Sequence, residues 1–410
     1  METKNHRDCK TICLYFPDKQ LYQKCMTDKE RFRRYIDKAY QETPELFPAE
    51  MKAGYQLSGF VSSTKLRLKM RRIRLKANGE SYQIRPSLVM PYMVGWTDEM
   101  EKPLYLLQWG VPFEALAYVF GHDPMYWYRA YISFGRASIV GATVKARQQL
   151  PVDLLADEKH SRHKGEKIYI TTTVAQECIL GAEIALNAGA DALGKGYQTF
   201  KTEVRELDPD YEPQTVNTDG WRATQNAWAA LFPTVTVILC FLHAWLKIRQ
   251  RSKRDQTLHQ QIKQKVWHAY HAQTLPQFAQ RMRRLREWAR WHLTGVVQEK
   301  VLELCHNAPH FKLAFSFPAA HRTSNMLDRL MNYQDRLLYA MQYFHGHQAS
   351  ARLYIRAMAL FWNFHPYRQK TQAKYRCPGF SPFERLNGFR YHDNWLHNLL
   401  IASSLGGSPG

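Results

Sequence analysis

Three short runs place an acidic side chain at the edge of a regular element: Leu154-Leu155-Ala156-Asp157-Glu158, Val216-Asn217-Thr218-Asp219-Gly220-Trp221 and Thr323-Ser324-Asn325-Met326-Leu327-Asp328-Arg329. Carboxylates held on rigid elements suit metal-dependent phosphoryl transfer, because Mg²⁺ prefers oxygen ligands and keeps several waters, so two or three acids suffice. In a strand that starts at Val152, side chains 153, 155 and 157 share a face. Asp153 is therefore the near competitor of Asp157, and Glu158 points away. Asp219 follows a short apolar strand and precedes Gly220-Trp221. Asp328 shares the polar face of a helical pattern with Asn325, Asn332 and Asp335, opposite Leu327, Leu330, Met331 and Leu338. An acid in a first helical turn also has a purely structural use, worth at most about 1 kcal/mol. Asp335 and Glu384 are the alternative third acids. Cys240 and His243 alone do not make a zinc site, and a thiol in an apolar strand is ordinary. A cysteine nucleophile paired with His243 would leave the three acids unexplained.

The elements that must carry these residues follow from pattern. Val152 to His160 and Lys167 to Val174 predict two antiparallel strands, with a third over Gln176 to Ala182. Asn187 to Val204 is helical in composition, Thr215 to Thr218 a buried strand, Ala223 to Leu231 a helix and Val235 to Leu242 another strand. The order is βββαβαβ. From Ala244 to about Pro318 only helical patterns occur, opened by Lys247, Arg249, Arg251, Lys253 and Arg254, with Arg283, Arg284 and Arg286 further on. Such clusters are either a solvated helix face or a DNA-backbone contact.

Upstream, residues 64–90 alternate around Asn78-Gly79 and predict a β-hairpin with a type I′ turn, on which Arg67, Lys69 and Arg71 share one face. Residues 111–135 read as helix, turn, helix, with Asp123 as N-cap and Pro124 at the first helical position. Of that pair's residues, Arg129 and Arg136 are the expected DNA contacts, whereas most of its aromatics belong to a core.

Composition narrows the partners. The chain has 410 residues, 45% apolar, with 57 Lys and Arg against 36 Asp and Glu, a net charge of +21. That length and apolar fraction predict two or three packed domains, and the charge attracts polyanions, nucleic acid first. No membrane association is expected: the first ten residues are polar and Val235 to Leu246 is too short to span a bilayer. Seven cysteines, an odd and scattered set, predict thiols rather than bridges. His6, Cys9, Cys13 and Cys25 could in principle hold zinc, although Cys-x₃-Cys is not the usual knuckle.

Taken in order, the three acidic runs and Cys240-Phe241-Leu242-His243 resemble the DDE/D transposases of bacterial insertion sequences, in the branch, with the Mutator-type elements, that carries Cys-x-x-His after the second acid. The resemblance spans roughly residues 150 to 400. It implies an α/β ribonuclease H-like catalytic core with a mixed sheet, split into residues 150–243 and 319–400, an all-α insertion at 244–318, and an α+β DNA-binding region over residues 1–149. It implies Asp157, Asp219 and Asp328 as catalytic metal ligands, with His243 close to them, where it could contact the scissile phosphate or orient a ligand. Mg²⁺ would be the cofactor, with Mn²⁺ able to substitute. Relatives show Asn-x-x-Glu-Arg where this chain has Asn325-Met326-Leu327-Asp328-Arg329, so its third acid is one methylene shorter. The partners implied are double-stranded DNA, both terminal inverted repeats and target, and further copies of the chain as a homodimer or higher oligomer on DNA. The location would be cytoplasmic, at the nucleoid. Two other readings use the same residues: a catalytically inactive, transposase-derived DNA-binding protein, and a structure-selective nuclease of the same fold.

Overall fold

The computed structural model describes residues 10–375 and 380–407. Its first part contains β1 (Thr11–Leu14), α1 (Lys19–Thr27), α2 (Lys29–Glu42), β2 (Tyr55–Ser63), β3 (Leu68–Leu75) and β4 (Ser81–Pro86). The four strands form one sheet in the order β1-β4-β3-β2, with β1 parallel to β4 and the other pairs antiparallel. The expected hairpin is thus β3 and β4 within a larger sheet. Its turn is not type I′, which needs positive φ at both central residues: only Gly79 has it, at 72°. Instead Asn78 Oδ1 accepts from the Glu80 amide at 2.9 Å and the Gly79 amide reaches back to the Leu75 carbonyl.

Four helices follow: α3 (Thr97–Leu107), α4 (Phe113–Phe120), α5 (Pro124–Ser133) and the short α6 (Ile139–Thr143). α4 and α5 are the expected pair, and Asp123 caps α5 by accepting from the Met125 amide at 2.7 Å, with Pro124 at the first position. The second sheet is built from β5 (Asp153–His163), β6 (Glu166–Ala175), β7 (Cys178–Ala185), β8 (Thr215–Thr218) and β9 (Thr236–Leu239), with α7 (Ala190–Leu207) and α8 (Arg222–Leu231) between its later strands. Its order is β7-β6-β5-β8-β9, an antiparallel meander of three strands extended by two parallel ones. α7 lies close on this sheet because Gly196 leaves room for Thr171: a Cβ there would come within 2.5 Å of the Thr171 hydroxyl oxygen.

The all-helical interval holds α9 (Phe241–Ser252), α10 (Gln256–Tyr270), α11 (Leu275–His292), α12 (Gly295–His306) and α13 (Ala308–Lys312), packed around a core of its own that includes Phe241, Ile262, Phe278 and Leu304. It begins at Phe241, three residues before the expected start, because β9 stops at Leu239. Cys240 is therefore the N-cap position of α9 and not part of a strand.

The chain returns to the second sheet through α14 (Asn325–Ala340) and α15 (Gln348–Phe364), followed by α16 (Gln369–Tyr375), α17 (Pro382–Asn387) and α18 (Trp395–Ala402). One hydrophobic core joins both ends of the chain: Ile12, Phe32, Ile73 and Leu104 belong to the same cluster as Leu330, Phe361 and Leu399. Polar contacts agree, since Ser404 Oγ accepts from the Cys13 amide and donates to the Leu46 carbonyl. The N-terminal region thus shares its interior with α14, α15 and α18. Five cysteines are described, Cys13, Cys25, Cys178, Cys240 and Cys305, and all are free and buried. Of the zinc candidates, Cys13 and Cys25 lie in this core, whereas His6 and Cys9 fall outside the described residues. Among the described residues no helix is long and apolar enough to cross a membrane.

Candidate active site

Strand register brings the first two acids together. β5 and β8 run parallel with Leu155 opposite Asn217, and parallel strands advance in step, so Asp157 comes level with Asp219 where β8 ends. Adjacent strands are about 4.8 Å apart. Asp219 opens a turn in which its Oδ1 accepts from the Trp221 amide at 2.7 Å, and Gly220, at φ 94°, supplies the conformation that lets the chain bend into α8. Asp157 Oδ1 accepts from the Glu158 amide at 2.8 Å. Asp153, the competitor, is occupied by the Thr215 hydroxyl at 2.6 Å. Glu158 does point the other way, into the interior beneath α7 and α8, where Tyr197 and Thr224 each donate to its Oε1 at 2.7 Å.

The next strand end adds His243. β8 and β9 pair Thr218 with Leu239, and the Cys240 amide donates to the Thr218 carbonyl at 2.7 Å, so α9 starts beside Asp219 with His243 in its first turn. The start of α14 is fastened to the same strand ends. Asn217 donates to the His321 carbonyl at 2.8 Å, the Phe241 amide to the Arg322 carbonyl at 3.2 Å, and the Ser324 amide to Cys240 Sγ at 3.3 Å. Ser324 occupies the N-cap position of α14, but its hydroxyl does not cap the helix: it lies 3.3 Å from both Cys240 Sγ and His243 Nδ1. This polar knot holds the first turn of α14, with Asp328, against the sheet. Ser324 was overlooked as a positioning residue; a Ser immediately before the helix was visible, but the distant partner it would choose was not.

The four side chains sense one another electrostatically. Burial, then the carboxylates of Asp219 and Asp328, raise the Asp157 carboxyl to about 6 against the pull of His243. Burial likewise raises Asp328, and His243 opposes it. For His243 burial works downward, but Cys240, Asp157 and Asp219 together lift the imidazole to about 9, so it is cationic at neutral pH. Among the described residues no three His, Cys, Asp or Glu side chains already stand close enough to share one ion. The arrangement is a half-buried cluster of three acids and one imidazolium at the ends of two parallel strands.

The alternative third acids are engaged elsewhere. Asp335 pairs with Lys159 at 2.5 Å, and Glu384 is buried against Arg390 at 3.1 Å and Ser381. The expected DNA contacts divide. Lys69, Arg129, Arg136, Arg283, Arg284 and Arg286 are exposed, and Arg136 covers the Tyr92 ring at 4.4 Å. Arg67 lies in the turn before β3, at φ 48°. Arg71 is a correction: it is 3% exposed, donates to the Met26 carbonyl at 2.6 Å and packs against Phe32 and Phe60, so it joins no basic face.

No family model matches this chain, and no curated protein matches it. The functional reading therefore rests on its own residues.

Proposed function

We propose that the protein is a DNA transposase of the insertion-sequence type, which cleaves DNA strands at the element's ends and joins them to a target. The observation that carries this reading is the placement of Asp157, Asp219 and Asp328, with His243, at the ends of β5, β8 and β9 and the start of α14. The strand order β7-β6-β5-β8-β9, with helices after β7 and β8, supports a ribonuclease H-like core, as does the helical interval between the second and third acids.

The donor types suit Mg²⁺ or Mn²⁺: three carboxylates on rigid elements, with Asp157 raised to about 6 by burial and then by its acidic neighbours. Asp157, Asp219 and Asp328 would hold the ions, which when bound activate the attacking oxygen and stabilise the leaving one. His243, protonated and fixed through Ser324, can donate a charge-assisted hydrogen bond to a non-bridging phosphate oxygen. The exposed arginines of α11 would position the DNA backbone without reading its sequence. A homo-oligomer on DNA follows from the need to bring two ends together.

The test supplies a pre-cleaved 3′-hydroxyl element end together with target DNA and Mg²⁺. Joined product with the native chain, lost in Asp219→Asn, supports strand transfer; hydrolysis without joining supports the structure-selective nuclease; neither reaction, with DNA binding intact, supports the inactive DNA-binding descendant.

A further inference from the structure

The first turn of α14 is gripped from two directions. The Ser324 contacts fasten its start to the strand ends beside Asp219, and the turn between β6 and β7 meets Met326 and Arg329, which flank Asp328 in the sequence. That β-turn is strained. Ala175 pairs with Cys178, so Gln176 and Glu177 alone form the loop, and both take positive φ, 48° and 68°. A hairpin loop of this kind favours Asn-Gly or Gly-Gly, because an ordinary side chain at positive φ crowds its own backbone. Such strain persists where the surroundings fix it.

Residues from α14, α15, α17 and the segment after α15 fix Glu177. Its amide donates to Met326 Sδ at 3.1 Å, and its carbonyl accepts from the Trp362 indole N–H at 2.8 Å. The side chain is only 13% exposed, and its Oε1 meets Arg385 of α17 at 2.9 Å and Arg329 of α14 at 3.6 Å. Its Oε2 accepts from the Tyr367 hydroxyl. One anion thus lies between two guanidiniums, one of them next to Asp328 in the chain. Without its charge, Arg329 and Arg385 would repel each other across a neutral group. The consequence falls on the third acid. Among the described residues no three potential ligands stand close enough to share one ion, and Asp is a ligand of short reach, so a small displacement of the first turn of α14 decides whether Asp328 takes part.

We propose that Glu177 is a positioning residue for Asp328: through Met326 and Arg329 it sets where the first turn of α14 stands, and so how tightly the three acids take a divalent ion. The role rests on the metal-binding reading of the acids given above. Replacing a residue that orients a ligand without touching the ion changes metal affinity about 10–100-fold.

The test titrates Mn²⁺ into the full chain without DNA, following free Mn²⁺ by electron paramagnetic resonance, and measures hydrogen exchange at the Asp328 amide, which is bonded to the Ser324 carbonyl at 2.9 Å. Asp328→Asn serves as the reference for loss of the ligand itself. Glu177→Gln should weaken Mn²⁺ binding roughly tenfold. Tyr367→Phe, which removes the hydroxyl that donates to Glu177, should act in the same direction. In both variants the Asp328 amide should exchange faster while the Leu338 amide, at the far end of α14, does not change. Cleavage lost in Glu177→Gln should return at excess Mn²⁺, because every ligand is still present. Mn²⁺ affinity unchanged in Glu177→Gln but reduced in Asp328→Asn overturns the positioning role, as does faster exchange along the whole of α14, which would mark a general loss of packing. No Mn²⁺ binding by the native chain overturns the reading of the acids instead; exchange at the Asp328 amide then decides by itself whether Glu177 holds α14, and unchanged exchange overturns that too.

Discussion

Glu203 ties the N-terminal region to the second sheet, and its replacement should loosen that junction measurably. From α7 its Oε2 accepts from the amides of Ile139 at 2.6 Å and Val140 at 3.0 Å and from the Ser138 hydroxyl at 3.0 Å, which satisfies the first two amides of α6 while Ser138 Oγ accepts from the Gly141 amide. Its Oε1 meets Arg356 of α15 at 2.5 Å, with the side chains only 10% and 13% exposed. Glu203→Leu removes the acceptor for three donors and leaves a nearly buried guanidinium without its anion. Losing one partner of such a pair costs about 3–5 kcal/mol. Arg356 keeps hydrogen bonds to the Gly135 and Ala137 carbonyls, so the lower end of that range applies. The assay is urea unfolding together with hydrogen exchange at the Ile139 and Val140 amides. A loss near 3 kcal/mol is expected, with both amides losing protection first, and Arg356→Met added to Glu203→Leu should cost less than the sum of the two. A loss under about 1 kcal/mol, or strict additivity, would refute the claim that this pair is a coupled junction.

Glu158, raised to about 7 chiefly by burial, is protonated in folded and unfolded chains below its ordinary value of 4.5 and is forced to carry charge in a buried site above 7. Without divalent ions, stability should therefore fall as pH rises from about 4.5 to 7, by roughly 3 kcal/mol at most, and Glu158→Gln should flatten that slope in pH-dependent unfolding. Replacing exposed Arg283, Arg284 and Arg286 with Ala should weaken binding to all duplexes alike and reduce the slope of log affinity against log salt; an unchanged slope would leave them as a solvated face. A fragment ending at Lys145 should not fold, since it lacks α15, α18 and Ser404, which complete its core; a cooperative unfolding transition for the fragment would contradict the shared interior.

Much of the second sheet was legible because alternation and length constrain strands strongly: Thr215 to Thr218 is a strand over those very residues. The end of β9 was not, because Val237, Ile238 and Leu239 run without a polar break into Phe241 and Leu242, which are apolar for a helical reason. Arg71 misled the reading because strand period assigns a face but not what covers it, and here Met26, Phe32 and Phe60 cover it. The interior of the N-terminal region was hidden for a related reason. Its helices and strands were visible, but the residues that complete their core come from hundreds of positions away. The three acids were singled out from local pattern and the family resemblance; how near one another they lie follows from strand register and from the Cys240–Ser324–His243 contacts, which no local pattern encodes.

The central claim is that Asp157, Asp219 and Asp328 act as one metal-binding catalytic cluster. The most direct measurement is strand cleavage at the element's terminal repeats, with Mg²⁺ and with Mn²⁺, comparing Asp328→Asn with Asp335→Asn and Glu384→Gln in folded protein. Each change keeps side-chain size and removes one carboxylate charge, so DNA binding serves as the control. The account predicts cleavage reduced by orders of magnitude in Asp328→Asn, as in Asp157→Asn and Asp219→Asn, and retained in Asp335→Asn and Glu384→Gln, whose carboxylates are engaged by Lys159 and Arg390. Full cleavage by Asp328→Asn, with loss in either of the other two, would contradict it.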